Sequence, residues 1–181
     1  MKGTIPFVEK AFDLNDWFVI GCIALSYLII YLLPKRFTGS VTLLLFLFSS
    51  TMACMLDNSI GGHIFDLYDI MDGPAYTVMD FAVYFLYAPF GYFFIYFYDR
   101  FQFKGITTVG YILLCSCMSI GFEWLCTLVG VFHYKDSYGI HYSFVIYLLF
   151  QSATLSFYHF IRRETPDPDH ENDERPKSPR K

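Results

Sequence analysis

Long apolar runs alternate with short polar breaks along the whole chain. Five of them are nearly free of charge and cover residues 17–33, 41–55, 76–98, 106–131 and 142–161. A helix needs about 20 mostly apolar residues to cross the ~30 Å hydrocarbon core of a bilayer. The pattern therefore predicts an all-α integral membrane helix bundle with about five transmembrane helices. Asn15 or Asp16 is expected to cap the first, and Pro34-Lys35-Arg36 ends it. The second is short and broken by Ser49, Ser50 and Thr51. A spanning helix tolerates these because a hydroxyl can bond the carbonyl four residues back. Thr77 to Asp80 reads as a capping box for the third segment, where Pro89 and Gly91 predict a kink. The expected organisation is an N-terminal outer segment (1–16), a transmembrane bundle (17–161) and a cytoplasmic tail (162–181). Residues 164–181 hold four prolines, six acids and four bases. Such a stretch buries no apolar surface and is expected to be disordered.

Composition fits this picture. Hydrophobic residues make up 55% of the 181 and charged residues only 17%, with mean hydropathy +0.39. Soluble domains carry about 25% charged residues. Residues 1–16 have no apolar core and no small-residue cleavage site, so they do not read as a signal peptide. The five cysteines lie in apolar runs with no CxxC pair and read as buried reduced thiols. No basic patch interleaved with aromatics suggests nucleic acid. Charge placement orients the bundle, because cytoplasmic loops are enriched in Lys and Arg. Lys35 and Arg36, Arg100 and Lys104, and Arg162 and Arg163 all fall on one side of a five-helix model. The long second connection carries Asp57, Asp66, Asp69 and Asp72 with no Lys or Arg. A cell-membrane protein with its N-terminus outside and its C-terminus in the cytoplasm follows.

Three places carry candidate chemistry. Glu123 lies inside the fourth run, with Ser116, Ser119 and Thr127 on the same helical face. An acid there is costly, by about 2.5 kcal/mol or more, unless it faces the bundle or a wet cavity. Tyr147, Gln151 and Thr154 form a matching stripe on the fifth run, so Glu123 is expected to meet Tyr147 or Gln151. The group Glu123, Ser119, Thr127, Tyr147 and Gln151 is thus an intramembrane polar site, for packing or for a proton, ion or substrate. The second place is His63, Asp66, Asp69 and Asp72, polar at every third position. This spacing predicts a short amphipathic helix on the outer surface, with Phe65, Leu67, Tyr68, Ile70 and Met71 largely opposite. The third is the hairpin from Phe132 to Tyr142. Carboxylates and imidazoles suit divalent cations, so His63, Asp66, Asp69, His133 and His141 form a candidate metal set beside a bland interfacial alternative. No nucleophile elbow, P-loop, HExxH or GxGxxG occurs, and no cofactor is named.

Phe122-Glu123-Trp124, the run Val129 to Tyr134, Ser143 and Tyr147 carry a resemblance. Over the last third, the chain resembles small, uncharacterised multi-pass membrane proteins of spore-forming Gram-positive bacteria. These share an acid in a late helix, a tyrosine soon after it and an aromatic final helix. The resemblance implies a cell-membrane location and assigns no catalytic residue. The sequence reading is a non-enzymatic membrane or envelope-associated component. Its partners are the lipid bilayer and a possible membrane protein. The alternative is a small metal-dependent membrane enzyme or a proton-coupled carrier built on Glu123 and the outer His and Asp groups.

Overall fold

Each apolar run becomes one helix in the computed structural model, which describes residues 12–61, 65–71, 77–135 and 138–164. The helices are α1 (Leu14–Leu32), α2 (Gly39–Ile60), α3 (Val78–Phe101), α4 (Ile106–Leu128) and α5 (Ile140–Glu164). All five are long and apolar enough to cross a membrane. Boundaries moved where capping chemistry decided them. Asp13, not Asn15 or Asp16, caps α1, and its carboxylate accepts from Asn15 N while Asp16 closes the capping box. The box at Thr77 and Asp80 opens α3 as expected. α5 continues past Ile161 through Arg162 and Arg163 to Glu164, and the rest of the expected tail lies outside the described residues.

The chain is not purely helical. Residues Tyr68–Ile70 (β1) pair antiparallel with Phe132–Tyr134 (β2), in the register Tyr68 with Tyr134, Asp69 with His133 and Ile70 with Phe132. The surface helix expected over 63–72 is therefore wrong for its described part. Asp66 and Met71 adopt φ of 51° and 54°, left-handed values that a right-handed helix cannot contain. The backbone groups pair across to the second connection instead, with Met71 N–H on Val131 O (2.8 Å) and Lys135 N–H on Leu67 O (3.0 Å). Tyr and Ile favour such half-buried pleated surfaces. His63 and Asp72 lie outside the described residues.

α3 is the axle of the bundle. Half of its spanning window is buried, against 17–28% in the other four helices. α1 and α2 pack on it, and α4 and α5 pair with each other as a hairpin. The closest approach is between α2 and α3 at Gly91, where an added Cβ would overlap Ser49 Oγ and lie 2.7 Å from Ser49 Cβ. Glycine is required there by contact. Pro89 is accommodated within a continuous α3.

One end of the bundle is closed by charge. Asp99, at the end of α3, is buried and accepts four side-chain hydrogen bonds. Arg36 donates from Nε (2.9 Å) and Nη2 (2.6 Å) to Oδ2. Tyr158 (2.9 Å) and Arg162 Nη1 (3.1 Å) donate to Oδ1. Phe37 beside them meets Tyr92, Tyr96 and Tyr158 edge-on. Arg36 and Arg162, from two of the basic groups singled out in the sequence, thus converge on one acid. That acid directly precedes Arg100.

Candidate functional site

The α3 and α4 backbones stand apart and meet through side chains, with Tyr111 donating to Phe94 O (2.7 Å) and Phe90 lying against Phe122. The gap between them is one side of a cavity of about 890 Å³, within the range of small-molecule sites. On α3 the lining runs from Val83 to Phe101. At 1.5 Å per residue that is about 27 Å, close to the full hydrocarbon depth. Most of the lining is apolar and aromatic. Phe97, Leu114 and Met118 line the cavity and keep much of their surface exposed, so it is open beside α3 and α4.

At the end opposite Asp99 the lining becomes polar. Two acids sit there, Asp57 from α2 and Glu123 from α4, among Tyr68, Tyr87, Tyr138 and Tyr147. Glu123 is only 6% exposed. Its Oε1 accepts from Ser143 (2.6 Å) and from the Tyr134 hydroxyl. Ser143 in turn accepts from Tyr138 (2.8 Å), making a continuous chain of hydrogen bonds from the ribbon connection to the acid. The Tyr147 hydroxyl lies beside the same carboxylate. Asp57 Oδ1 accepts from Tyr68 (2.6 Å), and Tyr87 adjoins it. Asp57 and Glu123 are close enough to feel each other's charge. Their second oxygens, Asp57 Oδ2 and Glu123 Oε2, are sealed from solvent and have no hydrogen-bond partner among the described residues.

The ribbon explains how two sequence-distant tyrosines reach these acids. Residues alternate across a strand, so Tyr68 and Tyr134 share one face and Asp69 and His133 share the other. Tyr68 and Tyr134 point into the cavity. Burial first, and then the adjoining carboxylates, hold their phenols above the usual range. Both remain protonated donors at neutral pH. On the outer face Lys135 Nζ reaches Asp66 and Asp69, the latter at 3.0 Å.

The sequence candidates divide. Glu123, Tyr147, Ser119 and Gln151 line the cavity. Thr127 does not, and its hydroxyl is spent on Trp124 O of its own helix (2.7 Å). Glu123 meets Tyr147, one of its two expected partners, and Ser143, but not Gln151. Gln151 is level with Ser116, and their side chains meet at 3.0 Å. The metal set does not assemble. Asp66 and Asp69 are bridged by Lys135, and His133 and His141 are exposed away from the cavity. Among the described residues no three His, Cys, Asp or Glu side chains are grouped to hold a metal ion, and His63 lies outside them.

Sequence alone places Asp57 in the second connection, whereas it lies on α2. An available signal was its place on the face of Ser49 and Ala53, each four residues apart and both buried. Tyr87 and Tyr138 gave no such signal.

Against known proteins, no family model, no curated protein and no solved structure matches this chain.

Proposed function

We propose that the chain is a polytopic membrane protein that binds an amphiphilic molecule laterally from the bilayer, as a non-enzymatic membrane component. One observation carries this reading. A cavity of about 890 Å³ is apolar along the length of α3, open to the side, and carries both of its acids at one end. A water-soluble ligand gains little from a long aromatic wall. A purely apolar one gains nothing from two buried acids. A chain with a head group fits both. Burial of apolar surface in such a wall contributes roughly 25 cal/mol per Å² relative to water. A lipid already in hydrocarbon gains less, so specificity rests on the polar end.

The membrane setting is supported by the five apolar helices and by the wide belt of exposed Leu, Phe and Met around them. The cell membrane is the proposed location. The N-terminus faces out and the C-terminus faces the cytoplasm. Clustering of Arg36, Arg162 and the flanking Arg100 around Asp99 supports this orientation. Reporter fusions after Arg163 should read cytoplasm, and fusions in 65–71 should read outside. Both on one side would refute it.

The ligand reading is tested with the full chain in nanodiscs and a neutral hexadecanol probe carrying a mid-chain diazirine. Photolabelling should map to α3 and α4 near Phe97, Leu114 and Met118. Labelling spread evenly over α1 and α2 would refute a lateral cavity.

A second reading, a proton-coupled carrier, is supported by the Tyr138–Ser143–Glu123–Tyr134 chain. Glu123→Gln retains an acceptor for Ser143 and Tyr134 but cannot ionise. Loss of proton-linked transport with unchanged photolabelling would favour this reading.

A further inference from the structure

We propose that the head group recognised in the cavity is a cation of the ammonium class, held between Asp57 and Glu123. This deepens the amphiphile reading and rests on it. Three independent features of the polar end point the same way.

The first is charge. Two carboxyl side chains line the cavity, and no Lys, Arg or His does among the described residues. The bases that neutralise acids elsewhere are committed elsewhere. Arg36 and Arg162 hold Asp99 at the far end, and Lys135 holds Asp66 and Asp69 on the outer face of the ribbon. A phosphate or carboxylate head would meet two acids with no counter-charge.

The second is valence. Asp57 Oδ2 and Glu123 Oε2 are buried acceptors without donors among the described residues. An ammonium brings up to three N–H donors and no acceptor. It can donate to either carboxylate from within the cavity. Leaving such groups unmade is expensive inside a protein, which is why buried polar atoms are nearly always paired.

The third is the aromatic wall. Tyr68, Tyr87, Tyr138 and Tyr147 surround the two acids. Aromatic faces attract alkylammonium groups, more strongly once water is excluded. The four tyrosines also supply a ring that a small inorganic cation would not need.

The test uses the full chain in nanodiscs and competes three hexadecyl compounds against the diazirine-labelled hexadecanol. Hexadecylamine should displace the label at a concentration about tenfold or more below that needed for palmitate, with hexadecanol between them. Asp57→Asn with Glu123→Gln should abolish the preference for amine over palmitate. Those neutral substitutions keep hydrogen-bonding shape. If the pair fails to fold, the order of the three competitors on the unaltered chain still decides the point. Palmitate competing as well as the amine, or better, overturns the ammonium assignment and leaves the amphiphile reading standing. Absence of cavity labelling by any probe overturns both.

Discussion

Replacing Asp99 should loosen the whole charged end of the bundle, and the loss can be apportioned from geometry. The Asp99 side chain is 10% exposed, Arg36 30% and Arg162 57%. A charge-assisted hydrogen bond is worth about 1.5–3 kcal/mol, and an exposed ion pair about 0–1 kcal/mol. Arg36 donates twice to Oδ2 in a mostly buried setting and takes the larger share, about 2 kcal/mol after allowance for its partial exposure. Arg162 is more than half in solvent, so its pair is worth well under about 1 kcal/mol. Asp99→Asn retains an acceptor for Tyr158 and forfeits the charge. It should destabilise by about 2 kcal/mol, and Asp99→Ala by about 3 kcal/mol once the Tyr158 bond is lost too. The assay is SDS titration in mixed micelles followed by far-UV circular dichroism. Double-mutant cycles with Arg36→Met and Arg162→Met separate the two pairs. Coupling to Arg36 should clearly exceed coupling to Arg162, and added salt should weaken the Arg162 term first. An Asp99→Asn change within about 0.5 kcal/mol of the native chain, or a larger Arg162 coupling, would refute the reasoning.

Gly91→Ala should destabilise by about 1–3 kcal/mol, because the new Cβ overlaps Ser49 Oγ and forces α2 from α3. Adding Ser49→Gly should recover most of that loss in the same SDS titration, and no recovery would mean the strain lies elsewhere. Lys135→Met should speed amide hydrogen exchange across Tyr68–Ile70 and leave the global unfolding midpoint unchanged, since it severs a surface bridge to Asp66 and Asp69. Its hydrogen bonds to those two carboxylates hold the Lys135 ammonium above its usual range. The bridge is therefore intact at neutral pH and is lost as pH rises beyond the ordinary lysine range; ribbon exchange that quickened on acidification to pH 6 would contradict this sign.

The helices were legible because each is long and apolar enough on its own to cross a membrane. No tertiary knowledge is needed to find 106–131. The ends were less legible. Apolar counting stopped α2 at Met55, yet its backbone bonds continue to Gly61 N–H on Asp57 O (2.8 Å). That one extra turn moves Asp57 from a solvated loop into the cavity wall. The ribbon was not legible at all. A three-residue strand has no periodicity to read. Its stability comes from a partner more than 60 positions away and from the Tyr68 bond to Asp57. Polar residues at every third position looked helical, while the two left-handed residues at Asp66 and Met71 leave no sequence mark. Glu123 was found because an acid inside an apolar run is conspicuous. Asp99 was missed because an acid beside Arg100 at a helix end looks like surface.

The two ends of the bundle solve the same physical problem in opposite ways. Each buries carboxylate oxygens near the edge of an apolar medium. At the Asp99 end, both oxygens are filled by Arg36, Tyr158 and Arg162, and the loop after α1 is tied to the ends of α3 and α5. At the other end, Tyr68, Tyr134 and Ser143 fill one oxygen each of Asp57 and Glu123 and stop there. The Tyr87 and Tyr147 hydroxyls also adjoin these carboxylates. An unpaired buried acceptor costs about 1–3 kcal/mol, and that cost is kept at the one place where two acids share a cavity open to the side. α2 is locked to α3 at Gly91, and α4 is locked to α5 along the hairpin. Between α3 and α4 the contact is by side chains, with Tyr111 on Phe94 O (2.7 Å) and Phe90 against Phe122. A ligand entering there meets the apolar wall first and the acids last. Chain length should therefore set how readily it enters, and head-group charge how long it stays.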